Sequence, residues 1–428
     1  MMHIRWLFFI SIFSIIVSIS SGSKWTPPET TPFPNITDQN VLFKLIDGIG
    51  LKKEVYKIAT EDGYILCLTR LVLPENKNKK NKGIPLLMVN GLFLHSDAWL
   101  MHADPLNNPA IHFLTHGYDV WLGDQRGASR SRGHKEYNHM KDLNYWVFTF
   151  HETGIYDLPA FIDFILRKTG HKKIGYAGLS LGTTFCFVLL SEKPEYNEKI
   201  YLAILFVPVG DMPVLSTRGL GTQIVFNFLM NLGDYYKSIG SEAMFLDIDS
   251  FKKYLLGICL NAPHLFTWTL GITTGGGLNV DMNHVCHQTA LQYGGSSVRT
   301  VLHTLQLFEK GEFRQYDLGE GENKRVYGKY QPPFYNYSKI TAPLAIYYSD
   351  MDEYAPGNAV RKMFPKFGGK IYSCLVESTH HTEPLMGSLF GKMYNSDLLD
   401  VLDSGSGRGG ANKDKFNSGK CKPLEEGG

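Results

Sequence analysis

A dominant charge is the first thing this chain lacks. Its 43 Lys and Arg are offset by 41 Asp and Glu, leaving a formal +2 over 428 residues. Nothing in that balance asks for nucleic acid as a partner. Cysteine pairs of metal-binding type are missing as well: Cys67, Cys186, Cys259, Cys286, Cys374 and Cys421 contain no C-x-x-C spacing, so neither a metal nor a metal-derived cofactor is expected. Internal repeats are absent. Beyond the first twenty residues or so, no segment keeps the uninterrupted apolar run of about 18 residues that a membrane-spanning helix needs. The mature chain is therefore expected to be soluble, with no stable transmembrane anchor. What remains is an ordinary globular composition, 43% hydrophobic and 20% charged, enough for one large α/β domain with an insertion or for two domains.

The N-terminus has a short basic start (Met1–Arg5), an apolar stretch over Trp6–Ile19 broken only by serines, and small residues at Ser20-Ser21-Gly22-Ser23. This is the layout of a secretory signal peptide over 1–22. Two Asn-x-Ser/Thr sequons, at Asn35 and Asn336, agree with export and are candidate glycosylation sites. An oxidising compartment permits disulfides, and Cys259 with Cys286 is the preferred pair because both lie in one region. Cys67 and Cys186 sit in apolar runs and read as buried thiols.

Apolar runs of strand type occur at Glu54–Ile58, Tyr64–Leu73, Ile84–Val89, Tyr118–Leu122, Lys173–Ala177, Tyr201–Pro208, Leu344–Tyr348 and Ile371–Leu375. Helical patterns fall between them, around Ala98–Phe113, over Gly154–Thr169 (Ile155, Leu158, Phe161, Ile162 and Ile165 on one face, stopped by Gly170) and over Leu181–Ser191. Strands alternating with helices predict a mostly parallel central sheet flanked by helices, the α/β class. Residues 23–210 form the first part of this core and 336–403 the second. Residues 211–335 break the rhythm and read as an inserted, largely helical cap. From 404 to 428 the chain is rich in Gly, Ser and Lys and is expected to be a flexible tail.

One pentapeptide carries chemistry. Gly178-Leu179-Ser180-Leu181-Gly182 closes a predicted strand and opens a predicted helix. Small residues around a serine allow either a simple tight turn or a strained elbow that presents a nucleophile, and the strand-to-helix setting favours the elbow. A serine hydroxyl needs a base. The expected order is Ser, then an acid after a late strand, then His nearer the C-terminus. Leu344–Tyr348 runs into Asp350 and Asp352, and Ile371–Leu375 runs into His380 and His381. Singly, these have ordinary readings as turn or surface-loop residues; together, in this order and at strand ends, they predict a Ser-His-Asp relay. Oxyanion donors are expected from the backbone N–H of Leu181 and from the Asn90-Gly91-Leu92 loop.

At these motifs the chain resembles the acid lipase family of the α/β-hydrolases, the group of gastric and lysosomal acid lipases. The similarity extends from about Glu54 to Val401. It is carried by Thr60–Leu66 (TEDGYIL), Asn90-Gly91-Leu92, Gly117–Gly127 (GYDVWLGDQRG), Gly178–Thr184, Gln331–Asn336 (QPPFYN) and the Asp352 and His381 loops. The resemblance implies an α/β-hydrolase fold with a mobile helical lid in the cap. It also implies a triad of Ser180, Asp352 and His381, choosing between the doublets, and an oxyanion hole from Leu92 and Leu181. No cofactor and no metal are implied. The activity implied is a secreted or lysosomal lipase cleaving triacylglycerols or sterol esters at a lipid–water interface. A carboxylesterase for smaller esters, or a lipid-binding protein of lipase fold without turnover, are the alternatives. The sequence departs from the family pattern at Leu179 (usually His), Leu181 (usually Gln) and Asn90 (usually His), and its cap lacks the usual cysteine spacing.

Overall fold

The computed structural model describes residues 50–73, 83–102, 107–244, 247–274, 280, 285–377, 379–387 and 390–408. The expected signal peptide, Asn35, Cys421 and most of the expected tail lie outside these residues.

Among the described residues there are eleven strands: β1 (Lys52–Ala59), β2 (Tyr64–Val72), β3 (Ile84–Val89), β4 (Tyr118–Asp124), β5 (Gly133–His134), β6 (Ile174–Leu179), β7 (Ile200–Phe206), β8 (Ala243–Met244), β9 (Ser296–Ser297), β10 (Leu344–Tyr348) and β11 (Ile371–Leu375). One sheet runs β1-β2-β4-β3-β6-β7-β10-β11, with β5 paired to β2, and β8 and β9 form a separate small ribbon. From β4 to β11 neighbouring strands are parallel, while β1, β2 and β5 are antiparallel. Period-2 alternation sorts the central strands onto two faces. On β3, Leu87 and Val89 enter the core under Phe161, Ile162 and Phe185, and Leu86 and Met88 enter the core under Trp99, Phe113 and Leu398. Both faces are covered, as a parallel sheet requires.

Three expected boundaries are corrected. Instead of one helix around 98–113 there is a 3-10 turn, Ser96–Leu100, and a separate short helix, Pro109–Thr115. Pro109 cannot sit in a helix interior but fits the first turn, where the Asn108 side chain accepts from Ala110 and Ile111 N–H. The helix expected over 154–169 starts earlier: a turn at Phe150–Glu152 passes through a π-helical stretch, Thr153–Asp157, into Leu158–Thr169. The chain also remains helical beyond residue 404, because the last helix runs Phe390–Ser406. Gly405 lies against Leu202, where a Cβ would come within 2.9 Å, so a glycine there permits close packing on β7. Ser406 Oγ is 3.2 Å from the Tyr118 hydroxyl.

Between β7 and β10 the chain leaves the sheet for helices at Leu220–Ser238, Ile248–Asn261, Pro263–Thr274, Val285–Leu291, Val298–Lys310 and Glu320–Tyr327. Cys259 and Cys286 form a disulfide across two of them, with Cα atoms 5.4 Å apart. Cys67 and Cys186 are buried free thiols. Among the described residues no helix is long and apolar enough to cross a membrane.

Candidate active site

Ser180 sits between the end of β6 and the helix Leu181–Glu192 with φ 52° and ψ −119°, a conformation that L-residues with a side chain rarely adopt. The flanking glycines make the bend possible. A Cβ on Gly178 would lie 2.9 Å from the Gly182 carbonyl carbon, and one on Gly182 would lie 2.6 Å from the Val89 carbonyl oxygen. The Ser180 N–H donates to Phe206 O at 3.0 Å, which anchors the elbow to β7.

The two late strands deliver the other partners. Ser349 Oγ donates to Thr379 O at 2.6 Å, tying the loop after β10 to the loop after β11. His381 Nδ1 is 2.8 Å from Asp352 Oδ2, and its Nε2 is 2.7 Å from Ser180 Oγ. A carboxylate only accepts, so Nδ1 carries the proton and Nε2 is left to accept from the serine hydroxyl. Asp352 is buried, and its Oδ1 accepts from the backbone N–H of Tyr354 and Ala355 at 2.7 and 2.8 Å. The Tyr354 ring stands edge-on to the imidazole, with centroids 5.0 Å apart. An alcohol so placed can lose its proton to the imidazole as it attacks a carbonyl, with the carboxylate offsetting the imidazolium charge.

Both doublets separate in space. Asp350 is exposed and pairs with Arg361 at 2.9 Å. His380 is buried and faces Glu383 Oε1 at 3.0 Å, bracing the loop from inside. Leu92 and Leu181 line one small space together with Phe93, Gln125, Phe148 and Phe185. Its volume is about 10 Å³, about enough for one water and far too little for an acyl chain. As the first residue of its helix, Leu181 has no intrahelical acceptor for its N–H. Gly91 abuts the serine: a Cβ there would come within 2.9 Å of Ser180 Cβ. Phe93 holds a positive φ of 64°, fixed by its carbonyl, which accepts from Gly294 N–H at 2.5 Å and Gly295 N–H at 3.3 Å. A larger cavity of about 620 Å³ lies at the opposite edge of the sheet, beside Ile84, Ile200 and Pro343, where the strands begin and none of these side chains reaches.

The structure also brings in residues that sequence reasoning passed over. Arg126 is buried; its Nε bonds Asp157 Oδ1 at 2.8 Å, and its Nη1 and Nη2 bond Asp62 at 2.6 and 3.0 Å. The TEDGYIL and GYDVWLGDQRG stretches therefore meet through one ion-pair cluster. Arg218, just ahead of the helix Leu220–Ser238, donates to Glu353 O and Tyr354 O at 3.0 and 3.2 Å, and Thr222 Oγ1 donates to Glu353 Oε2 at 3.2 Å. No local pattern marks this role of Arg218: its Nε donates to the nearby Pro213 O at 3.2 Å, but the two carbonyls on the Asp352 loop lie more than a hundred residues away.

Under the Leu92–Ser96 loop, Asp97 is buried between Arg130 (3.1 Å) and Lys53 (3.3 Å). Burial alone would raise its pKa, but the two cations overcome this and hold the carboxyl at about 2. A folded pKa below the unfolded value adds stability above the ordinary carboxylate range and loses it as pH falls toward 2. At neutral pH the contribution is roughly 2 kcal/mol. Asp97→Asn is therefore expected to unfold at lower urea than wild type at pH 6, with the gap narrowing toward pH 2; a gap constant across that range would contradict the assignment.

Two family models match the chain: residues 84–213 fit the alpha/beta hydrolase fold, and residues 43–103 fit the partial alpha/beta-hydrolase lipase region. Among similar curated proteins, the tear acid lipase-like protein of Mesocricetus auratus is 31% identical over 84% of this chain and 89% of its own. Gastric triacylglycerol lipase of Bos taurus is 31% identical over 79% and 85%. Lipase 1 of Drosophila melanogaster is 31% identical over 88% and 83%.

Proposed function

From a chain that belongs to the acid lipase family of the α/β-hydrolases, and so is a carboxylic ester hydrolase, we propose a serine lipase that cleaves neutral lipid esters through Ser180, His381 and Asp352. The observation that carries the reading is the unbroken relay from carboxylate to imidazole to hydroxyl, 2.8 and 2.7 Å long. Ser180 Oγ attacks the acyl carbonyl as its proton passes to His381 Nε2. The tetrahedral oxyanion is held by the N–H groups of Leu92 and Leu181, and His381 returns the proton to the leaving alcohol. Water, deprotonated by the same imidazole, then releases the fatty acid.

Triacylglycerols or sterol esters are the proposed substrates, and a secretory or lysosomal site of action is proposed with them. The name of the Bos taurus relative supports the first. The disulfide supports an oxidising compartment. Asn336 is exposed, which fits its proposed glycosylation. The helical insertion over 211–335 is proposed as the cap, because Ser296 and Thr300 line the space beside Leu92 and Leu181. The cap also supplies an apolar outer surface. Along the helix Leu220–Ser238, Leu220 (73% exposed), Ile224, Phe228 and Tyr235 are exposed at helical spacing, and Trp268 is 65% exposed on a neighbouring helix. Such a stripe is suited to a lipid surface.

The test compares emulsified long-chain triacylglycerol with a soluble short-chain ester. Wild type is expected to favour the emulsion. A Leu220→Ser, Ile224→Ser, Phe228→Ser triple variant is expected to lose about tenfold on the emulsion while keeping activity on the soluble ester. Equal activity of wild type on both substrates would favour the smaller-ester carboxylesterase. Lipid binding without hydrolysis would favour a non-catalytic protein.

A further inference from the structure

We propose that Gln125 is a positioning residue for the oxyanion hole, fixing which way the Gly91–Leu92 peptide faces. This rests on the serine-hydrolase reading above and concerns how one of its two donors is held. Gln125 follows β4 and is buried. Its Nε2 donates to Gly91 O and to Leu94 O, each at 3.1 Å. Both partners are carbonyl oxygens, so the group facing them must be the NH₂ and the amide orientation is settled. Gly91 O and Leu94 O bracket the turn that carries Leu92, and Leu94 N–H closes that turn on Gly91 O at 3.4 Å.

The consequence follows from peptide geometry. The structure contains no cis peptide among the described residues, and in a planar trans peptide the C=O of one residue and the N–H of the next point opposite ways. Holding Gly91 O on the Gln125 side turns Leu92 N–H the other way. Without that clamp only the long Leu94 N–H bond, 3.4 Å, still holds the Gly91 carbonyl, and a rotated carbonyl would offer negative charge where the oxyanion must form. Gly91 lies so close to Ser180 that the orientation of this peptide bears directly on the reacting carbon.

For Gln125, only the NH₂ of the side chain has partners among the described residues, since Oε1 is buried without one there. Its backbone is also held rigidly, because the next residue, Arg126, donates its N–H to Asp157 Oδ2 at 2.8 Å and is clamped by Asp62.

The experiment uses full-length Gln125→Met, which keeps length without a donor, and Gln125→Glu, which at pH 8 presents only acceptors to two carbonyl oxygens. Active sites are counted with an organophosphonate ester, and turnover of p-nitrophenyl butyrate is expressed per active site. Loss of a whole oxyanion donor costs about 10²–10³ in kcat, so kcat should fall about 30- to 300-fold for Gln125→Met, and further for Gln125→Glu, with KM within about threefold. Affinity for n-butylboronic acid, whose tetrahedral adduct uses the same donors, should weaken in parallel with kcat/KM. A purely structural role would instead lower the titratable fraction and leave kcat per site and boronate affinity unchanged. That result, in whichever variant folds, overturns the proposal. If Ser180→Ala retains wild-type turnover, the reading of Ser180 as the nucleophile itself fails and this inference falls with it.

Discussion

Ser180→Ala is expected to lower kcat/KM for ester hydrolysis by about 10⁶-fold, and Ser180→Ala, His381→Ala together by no more than either alone. The reason is the geometry of one relay. Ser180 Oγ and His381 Nε2 are 2.7 Å apart, so the hydroxyl is nucleophilic only while the imidazole can take its proton, and the imidazole has no task without the hydroxyl. Groups that act as a unit lose their joint contribution once, so the two penalties do not add. Unfolding free energies should stay within about 1 kcal/mol of wild type for Ser180→Ala, which separates lost chemistry from lost structure. If the two single losses multiplied in the double variant, Ser180 and His381 would be acting independently.

Asp352→Asn carries the second large effect, about 10⁴-fold in kcat. The side chain would keep its shape, and its Oδ1 would still accept from Tyr354 and Ala355 N–H. What changes is the edge facing His381 Nδ1, 2.8 Å away. An amide NH₂ there donates, so the imidazole must turn its proton to Nε2 and cannot accept from the serine. The neighbouring Asp350 is the internal control. It is exposed and pairs with Arg361, so Asp350→Asn should stay within about twofold of wild type. Kinetics of the two variants with one soluble ester decide between the aspartates; a large loss in Asp350→Asn with little in Asp352→Asn would reassign the acid.

How much of this was legible in the residues differs from one feature to the next. The Ser180 elbow was legible because its glycines have one local reason, the close approach of Gly182 to Val89 O. The order Ser180, Asp352, His381 was legible because parallel strands deliver successive loops to the same sheet edge. From the residues alone the doublets stayed open, since the exposure of Asp350 and the burial of His380 are decided by Arg361 and Glu383. The helix expected around 98–113 does not form as one piece, because Pro109 with its Asn108 cap starts a new helix. The tail boundary at 404 was set by composition, and composition cannot see that Gly405 is where the last helix lies flat on Leu202. Gln125 stands in a quoted motif, but neither its role nor that of Arg218 left a trace, because the partners that matter are carbonyl oxygens of distant residues and carbonyls look alike in any sequence.

The mooring of Arg218 and Thr222 on Glu353 and Tyr354 limits how the insertion can move. The space between Leu92 and Leu181 is too small for an acyl chain, so an acyl group seated there must push its lining aside. The segment at the very root of the insertion is bolted to the loop that carries Asp352, and displacing it would disturb the carboxylate that orients His381. If the proposed cap moves to admit a lipid, the mooring predicts a pivot beyond Thr222, out along the helices, so that the acid stays still while the mouth opens.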